Sequence, residues 1–206
     1  MRSFACAAAV LLVGSASGRS RAAEAPTFGL SIGVATENGE PVQDEAWIAA
    51  QVEVAEGLLG PLGVHVRWEK EKTLAEKYAR LETRSDRDAL TSELEGKLVN
   101  VMIVASLRDV DDPSLYRMGV CWRHSKSPGT PYLVVSKTAR PSVLAHELGH
   151  YFGNPHSLVT DNIMSYSRTG GPVFFDDRQA SIMRAKARTY LAEGTLIAQP
   201  PNRLWP

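Results

Sequence analysis

The stretch HELGHYFGNPH, which occupies residues 146–156, is the starting point for interpreting the whole chain. On a helix, His146 and His150 are separated by about 400° of rotation, so both side chains project from the same face, one turn apart. Two imidazoles in that arrangement can bind one metal ion. Glu147 follows the first histidine and points to the flank of the same face, where it can act as a general base on a water molecule at the metal.

A third ligand is predicted from the residues that end this helix. Gly153 can adopt the left-handed conformation of a C-terminal cap because it has no Cβ, and Pro155 then prevents the helix from continuing. The chain must turn at this point, which allows His156 to approach the two helical histidines. Three nitrogen ligands leave the fourth tetrahedral position of a zinc ion open, which is typical of a catalytic zinc site.

These residues resemble the metzincin signature HExxHxxGxxH at every specified position. Downstream, NIMSY at residues 162–166 resembles the Met-turn of the same proteases. The resemblance implies that Met164 forms an apolar floor under the three imidazoles and that Tyr166 lies near the metal, where it can contact the oxyanion. A surface or core tyrosine is the alternative for Tyr166. A serine directly after the third histidine, here Ser157, resembles the pattern of the matrixins. The Asn-x-Met-x-Tyr pattern instead resembles the pappalysin-type branch, so the sequence does not assign the chain to one metzincin branch.

The resemblance also implies a fold and an activity. The implied fold is α+β, with a mixed twisted sheet of about five strands, an antiparallel edge strand, an N-terminal backing helix, an active-site helix and a C-terminal helix. The implied activity is that of a zinc endopeptidase with one catalytic Zn²⁺ and an extended peptide or protein substrate along the edge strand near Gly119 to Trp122. Two alternatives are a zinc hydrolase of a non-peptide amide or ester and a catalytically silent zinc-containing binding domain. Glu147 argues against the silent domain, since a structural site needs no base.

Composition limits the number of domains and the partners. A chain of 206 residues with 44% hydrophobic content is typical of one globular domain, which is predicted to extend over residues 26–193 as a monomer. The 23 basic and 23 acidic side chains give a formal net charge of zero. Neither nucleic acid nor an anionic membrane is therefore expected as a partner.

The N-terminus has the pattern of a secretory signal. Arg2 precedes the apolar stretch 4–13, which is too short to span a bilayer and is followed by small residues. We predict a signal peptide over residues 1–25, with cleavage between 17 and 25, and a secreted or periplasmic protein without stable membrane insertion. Cys121 is then the only thiol, so no internal disulfide can form. It is interpreted as a small buried side chain in a strand, with zinc contact as the alternative.

Hydrophobic periodicity predicts the remaining elements. Strands are predicted at residues 28–36, 64–68, 98–107, 118–122 and 132–135. Helices are predicted at residues 41–59, within the charged stretch 70–97, from 141 or 142 with Ser142 as N-cap, and from 176–177 to about 193, before an extended tail at 194–206.

Three smaller features have open interpretations. Residues 109–113 form an acidic loop, interpreted as an exposed turn with a calcium site as the alternative. Val173 and Phe174 could form an apolar substrate pocket or pack against a helix. Trp122 and His124 could line the cleft, although tryptophan on an edge strand commonly serves in packing.

Overall fold

The computed structural model describes residues 25–126 and 129–200, so the predicted signal peptide and residues 201–206 of the tail lie outside the described residues. The strands are β1 (Thr27–Glu37), β2 (Glu40–Pro41), β3 (His65–Leu74), β4 (Arg80–Leu81), β5 (Val99–Val104), β6 (Ser106–Leu107), β7 (Gly119–Trp122), β8 (Tyr132–Ser136) and β9 (Ala198–Gln199). The helices are α1 (Glu45–Leu59), α2 (Arg84–Ala89), α3 (Val143–Tyr151) and α4 (Asp177–Ala192). Within these ranges, no helix is long and apolar enough to cross a membrane.

The fold is α+β, as predicted, and is built on a mixed seven-stranded sheet. The path through the sheet is β2-β1-β5-β8-β7, and β1 also pairs with β3 and β9. Strands β3, β1, β5 and β8 are parallel to one another, whereas β7 is antiparallel to β8 and lies at the edge. The predicted antiparallel edge strand is therefore confirmed.

The core occupies both faces of the sheet. On β5, Val101 and Ile103 pack into a cluster with residues of α1, α3 and α4, while Met102 and Val104 pack into a second cluster on the opposite face. Successive side chains of a strand alternate between faces, so a strand that is apolar at every position is buried on both sides. This burial explains why β5 lies in the middle of the sheet.

Three predicted boundaries are wrong in the first half of the chain. The predicted helix at 41–59 begins only at Glu45, because Asp44 caps its first turn through the backbone N–H of Trp47 and Pro41 belongs to β2. The predicted strand at 98–107 is two strands, because the chain breaks at Ala105, whose N–H donates to Ala79 O at 2.7 Å. The third boundary is that of β3.

Strand β3 extends to Leu74, into the charged stretch 70–97 for which a helical excursion was predicted. The register from Thr27 opposite His65 to Ala35 opposite Leu74 shows the reason: the long strand β1 offers backbone partners along the whole of β3. Strand pairing therefore overrides the helix-forming composition. Only α2 and short 3-10 turns are helical here. Thr83 is the N-cap of α2, with Asp86 as its capping-box partner.

Candidate active site

Helix α3 positions the first two predicted ligands. Leu144 and Leu148 are buried on its core-facing side, so His146 and His150 project together from the opposite side. Ser142 is the N-cap residue of the helix, as predicted, but its side chain makes no capping hydrogen bond. Gln51 of α1 provides the hydrogen bond instead, because its Oε1 accepts from Leu144 N at 3.3 Å and its Nε2 donates to the backbone of the preceding loop.

The helix ends where the sequence predicts. Gly153 has φ +96°, its N–H donates to His150 O, and Asn154 N–H donates to Gly149 O, both at 2.9 Å. Two such bonds around a left-handed residue satisfy the last carbonyls of a helix. The chain reverses at this point and brings His156 back toward α3.

The three Nε2 atoms of these histidines converge. His150 Nε2 lies 3.2 Å from His146 Nε2 and 3.1 Å from His156 Nε2, and one ligand atom from each residue lies within 4.8 Å of the others. Ligand nitrogens about 2.0–2.1 Å from a tetrahedral zinc ion are about 3.3 Å apart. Among the described residues this is the one group that could hold a metal ion, and its spacing fits zinc.

The protonation states also fit a metal ligand set. Burial lowers the pKa of His150 to about 4, and burial is likewise the main cause of the lowered pKa of His146 and of His156. The imidazoles are therefore neutral at pH 7, which is the form that binds metal.

Backbone carbonyls orient two of the imidazole rings. His146 Nδ1 lies 2.7 Å from Ile163 O, and His150 Nδ1 lies 2.8 Å from Asn154 O. A carbonyl can only accept, so each ring carries its hydrogen on Nδ1 and directs the Nε2 lone pair toward the other two rings.

The Met-turn packs directly under α3. Met164 is fully buried, and a Cβ built on Gly149 would overlap its Sδ atom. Asn162 holds the turn, because its backbone O accepts from Ser165 N and its Oδ1 accepts from Met164 N, both at 2.9 Å. Gly149 occupies an unspecified position of the metzincin signature, so the sequence analysis missed its role. Only the contact with Met164 reveals it.

A buried amide pair connects the Met-turn to α4. Asn162 Nδ2 donates to Gln179 Oε1 at 2.8 Å, and Gln179 Nε2 donates to Asn162 Oδ1 at 2.9 Å. Gln179 also forms the capping box of α4 with Asp176. The sequence does not predict the contact between Asn162 and Gln179. The pattern Asp176-x-x-Gln179 is typical of a capping box and was the one local feature that pointed to Gln179.

Glu147 lies between α3 and the edge strand. Its side chain is only 5% exposed, and this burial raises the pKa of the carboxyl to about 8. The backbone N–H of Cys121 donates a hydrogen bond to the carboxyl, which lowers the pKa and partly offsets the effect of burial. A Cβ on Gly119 would lie 2.8 Å from Glu147 Oε1 and 2.7 Å from Val143 Cγ1. Glycine at the start of β7 therefore lets the strand approach the carboxyl.

Tyr166 also lies next to the three converging imidazoles. Its side chain is 70% exposed, and its hydroxyl lies 2.9 Å from His156 Nε2. Cys121 lines the cleft, but it does not belong to the group that could hold a metal in the described part of the chain. Its side chain is partly buried in β7 and packs against the core, and this burial raises the pKa of its thiol to about 12.

A cleft of about 710 Å³ runs along β7 and contains the three histidines, Glu147 and Tyr166. Trp122 lines it, with its indole N–H donating to Asp88 Oδ1 at 2.8 Å and its ring under the Arg87 guanidinium at 4.7 Å. His124 lines a different cavity.

Asp109 is buried and accepts from two backbone N–H groups and from Arg117, so the acidic loop is not simply an exposed turn.

Val173 and Phe174, interpreted from the sequence as either an apolar substrate pocket or helix packing, lie apart from the cavities around Glu147 in the described ranges. Val173 packs against the core, as its alternative interpretation predicted, whereas Phe174 is 42% exposed.

Comparison with known proteins finds similarity in three-dimensional structure. No protein-family profile and no curated protein matches the sequence. Mature mirolysin of Tannerella forsythia, solved with a cleaved peptide, has a TM-score of 0.57 and 12% identity, over 84% of this chain and 98% of mirolysin. Archaemetzincin of Methanopyrus kandleri has a TM-score of 0.53 and 19% identity, over 79% of this chain and 96% of its own.

Metalloproteinase-II of Bacteroides fragilis has a TM-score of 0.55 and 15% identity, over 79% of this chain and 53% of its own. Sequence identities this low establish the fold alone. The chain therefore has a metzincin-like α+β fold, similar to that of these three proteins.

Proposed function

We propose that this protein is a zinc-dependent endopeptidase that acts outside the cytoplasm. The observation that carries the proposal is the convergence of three neutral imidazoles beside the buried carboxyl of Glu147, under an open sheet edge. A purely structural zinc site would have no use for an acid in that place.

The residues have distinct roles in this proposal. His146, His150 and His156 hold the ion, with Gly153 and Met164 supporting them. Zinc bound there would act as a Lewis acid and lower the pKa of a water molecule to about 7. Burial alone raises the pKa of Glu147 to about 8, and the charge of an ion bound beside it would lower that pKa, so that the ionised carboxylate would accept a proton from the attacking water and pass it to the leaving amine. Tyr166 donates its hydroxyl hydrogen bond to the oxyanion that develops on the scissile carbonyl.

An extended peptide is the substrate that fits the edge strand. Strand β7 pairs on one side with β8, which leaves its other edge available for strand addition. The cleft along Gly119 to Trp122 is open beside the metal ligands. Mirolysin, which shares the fold, has been solved with a cleaved peptide, which supports this substrate class.

The proposed location and state follow from the N-terminal sequence. We propose that residues 1–25 are removed as a signal peptide and that the mature protein, one domain from 26 to 193 with a C-terminal tail, is a secreted or periplasmic monomer. N-terminal sequencing of protein recovered outside the cytoplasm checks the cleavage, which is expected between residues 17 and 25.

Zinc content and cleavage of a mixed unstructured peptide library test the activity on signal-free protein. Wild type is expected to contain one zinc ion per chain and to cleave. Glu147→Ala is expected to retain the metal and lose turnover. Glu53→Ala, which removes an exposed carboxyl on α1, is the matched control and is expected to behave as wild type.

Two results would contradict the assignment. A Glu147→Ala variant that cleaves at the wild-type rate would remove the proposed general base. A His156→Ala variant with unchanged zinc affinity would show that the third ligand is wrong, because loss of one of three ligands should weaken binding strongly.

A further inference from the structure

A second cavity opens directly from the candidate active site. It measures about 270 Å³ and lies between the start of β7, the first turn of α3 and the residues that follow the Met-turn. We refer to this space as the Met-turn pocket. It shares His146, Glu147 and Tyr166 with the main cleft, so a side chain that enters it belongs to a substrate residue next to the scissile bond.

The charged lining of the Met-turn pocket is mainly basic. Three arginines line it, Arg117, Arg140 and Arg168, and Glu147 is its one acidic residue. Arg117 is paired with Asp109, whereas Arg140 and Arg168 form no ion pair with any carboxylate in the described part of the chain. This local excess of positive charge contrasts with the zero net charge of the protein.

Arg168 is held in position by the Met-turn itself. Its Nη1 donates to Asn162 O at 2.8 Å and to Ser167 O at 3.2 Å, and its Nη2 donates to Ile163 O at 3.0 Å. A guanidinium has five N–H groups in a planar fork, so one on Nη2 and the one on Nε are left for a ligand. A guanidinium already fixed by three carbonyls loses little freedom when it binds a carboxylate.

The nearby backbone adds to the positive potential. The Met-turn pocket includes Ser142 and Val143 at the N-terminal end of α3, where the helix dipole is positive. The apolar side chains predicted to form a substrate pocket, Val173 and Phe174, do not line it.

We propose that the Met-turn pocket selects a substrate with an acidic side chain, Asp or Glu, at a residue flanking the scissile bond. The carboxylate binds the free N–H groups of Arg168 and the guanidinium of Arg140. This inference rests on the proposed peptidase function and adds its substrate class. Because Arg140 and Arg168 are exposed, the preference should weaken as the salt concentration rises.

The test uses zinc-loaded wild type and a set of peptides that differ only at the two residues flanking the cleaved bond, with Glu, Gln, Leu or Lys at each. At one of these positions, kcat/KM is expected to be about tenfold higher for Glu than for Gln and lowest for Lys, since charge-assisted bonds to a carboxylate exceed those to an amide. Equal rates for Glu and Gln peptides at both positions would overturn the inference.

Substitutions of the pocket arginines test whether these residues cause the preference for Glu. Arg140→Glu is expected to retain zinc and to shift the ratio of Glu to Lys cleavage toward Lys by about tenfold or more, because it reverses a charge. Arg168→Gln should reduce the ratio of Glu to Gln cleavage toward one. Arg188→Gln, an exposed arginine on α4, is the matched control and should leave both ratios unchanged. A preference that survives Arg140→Glu and Arg168→Gln together would also overturn the inference.

Binding of the same peptides to zinc-loaded Glu147→Ala separates this inference from the peptidase proposal. Cleavage without any preference for Glu refutes the acidic pocket and leaves the peptidase. Tighter binding of the Glu peptide without cleavage by wild type supports the pocket and refutes the peptidase. Equal binding of all peptides without cleavage refutes both.

Discussion

Asn162 in the Met-turn and Gln179 in the first turn of α4 form two reciprocal amide hydrogen bonds, at 2.8 and 2.9 Å, with both side chains buried. Asn162 also accepts from Met164 N, and its neighbour Ile163 provides the carbonyl that orients His146. These bonds therefore connect the position of α4 to His146, one of the three proposed metal ligands.

Replacement of Gln179 should weaken both the fold and the metal site. Gln179→Ala leaves the buried amide of Asn162 without its partner, which should lower the free energy of unfolding by about 2 kcal/mol. Thermal melts and competitive zinc titration measure the two effects. Arg178→Ala, an exposed neighbour on α4, is the control, and a Gln179→Ala variant with wild-type stability and zinc affinity would refute the connection.

A methyl group at position 149 should disturb the floor of the metal site. Gly149→Ala places Cβ on Met164 Sδ, and overpacking of this kind should lower the free energy of unfolding by about 1–3 kcal/mol. Gly57→Ala on α1 is a matched control with nothing within 4 Å of the new Cβ, and it should raise stability by about 0.5–1 kcal/mol. Denaturant unfolding compares them, and equal stabilisation by both changes would contradict the contact with Met164.

Removal of the Tyr166 hydroxyl should slow the reaction without weakening zinc binding. Tyr166→Phe keeps the ring beside His156 but removes an oxyanion donor, so we expect kcat to fall about tenfold with KM and zinc content little changed. Steady-state kinetics on one peptide provides the measurement. Tyr78→Phe, in the opposite core cluster, controls for loss of a tyrosine hydroxyl. An unchanged kcat for Tyr166→Phe would exclude the residue from the mechanism.

Cys121 should be unreactive in the folded protein. Burial raises the pKa of its thiol to about 12, so far less thiolate is present at pH 8.5 than for an ordinary cysteine. Alkylation by iodoacetamide at that pH should be about a hundredfold slower or more in native protein than in guanidinium chloride. Equal rates in the two conditions would show that the thiol is accessible and ionised.

The local geometry of the candidate site could be predicted from residues that are close together in the chain. The spacing of His146 and His150 within one helical turn, and a glycine at position 153 that adopts φ +96°, depend on residues close together in the chain. The alternation along β1 and the continuous apolar run of β5 likewise identified strands, because burial of a strand is visible in its own residues.

Contacts between distant segments could not be predicted from the sequence. Gln51 accepts the hydrogen bond at the start of α3 that the Ser142 side chain does not accept, pairing with β1 extends β3 into a charged stretch, and Gln179 holds the Met-turn. In each case a partner far along the chain supplies a hydrogen bond that local propensity cannot anticipate. The arginines of the Met-turn pocket show the same limit, since Arg117, Arg140 and Arg168 come together only when β7, α3 and the Met-turn pack around Glu147.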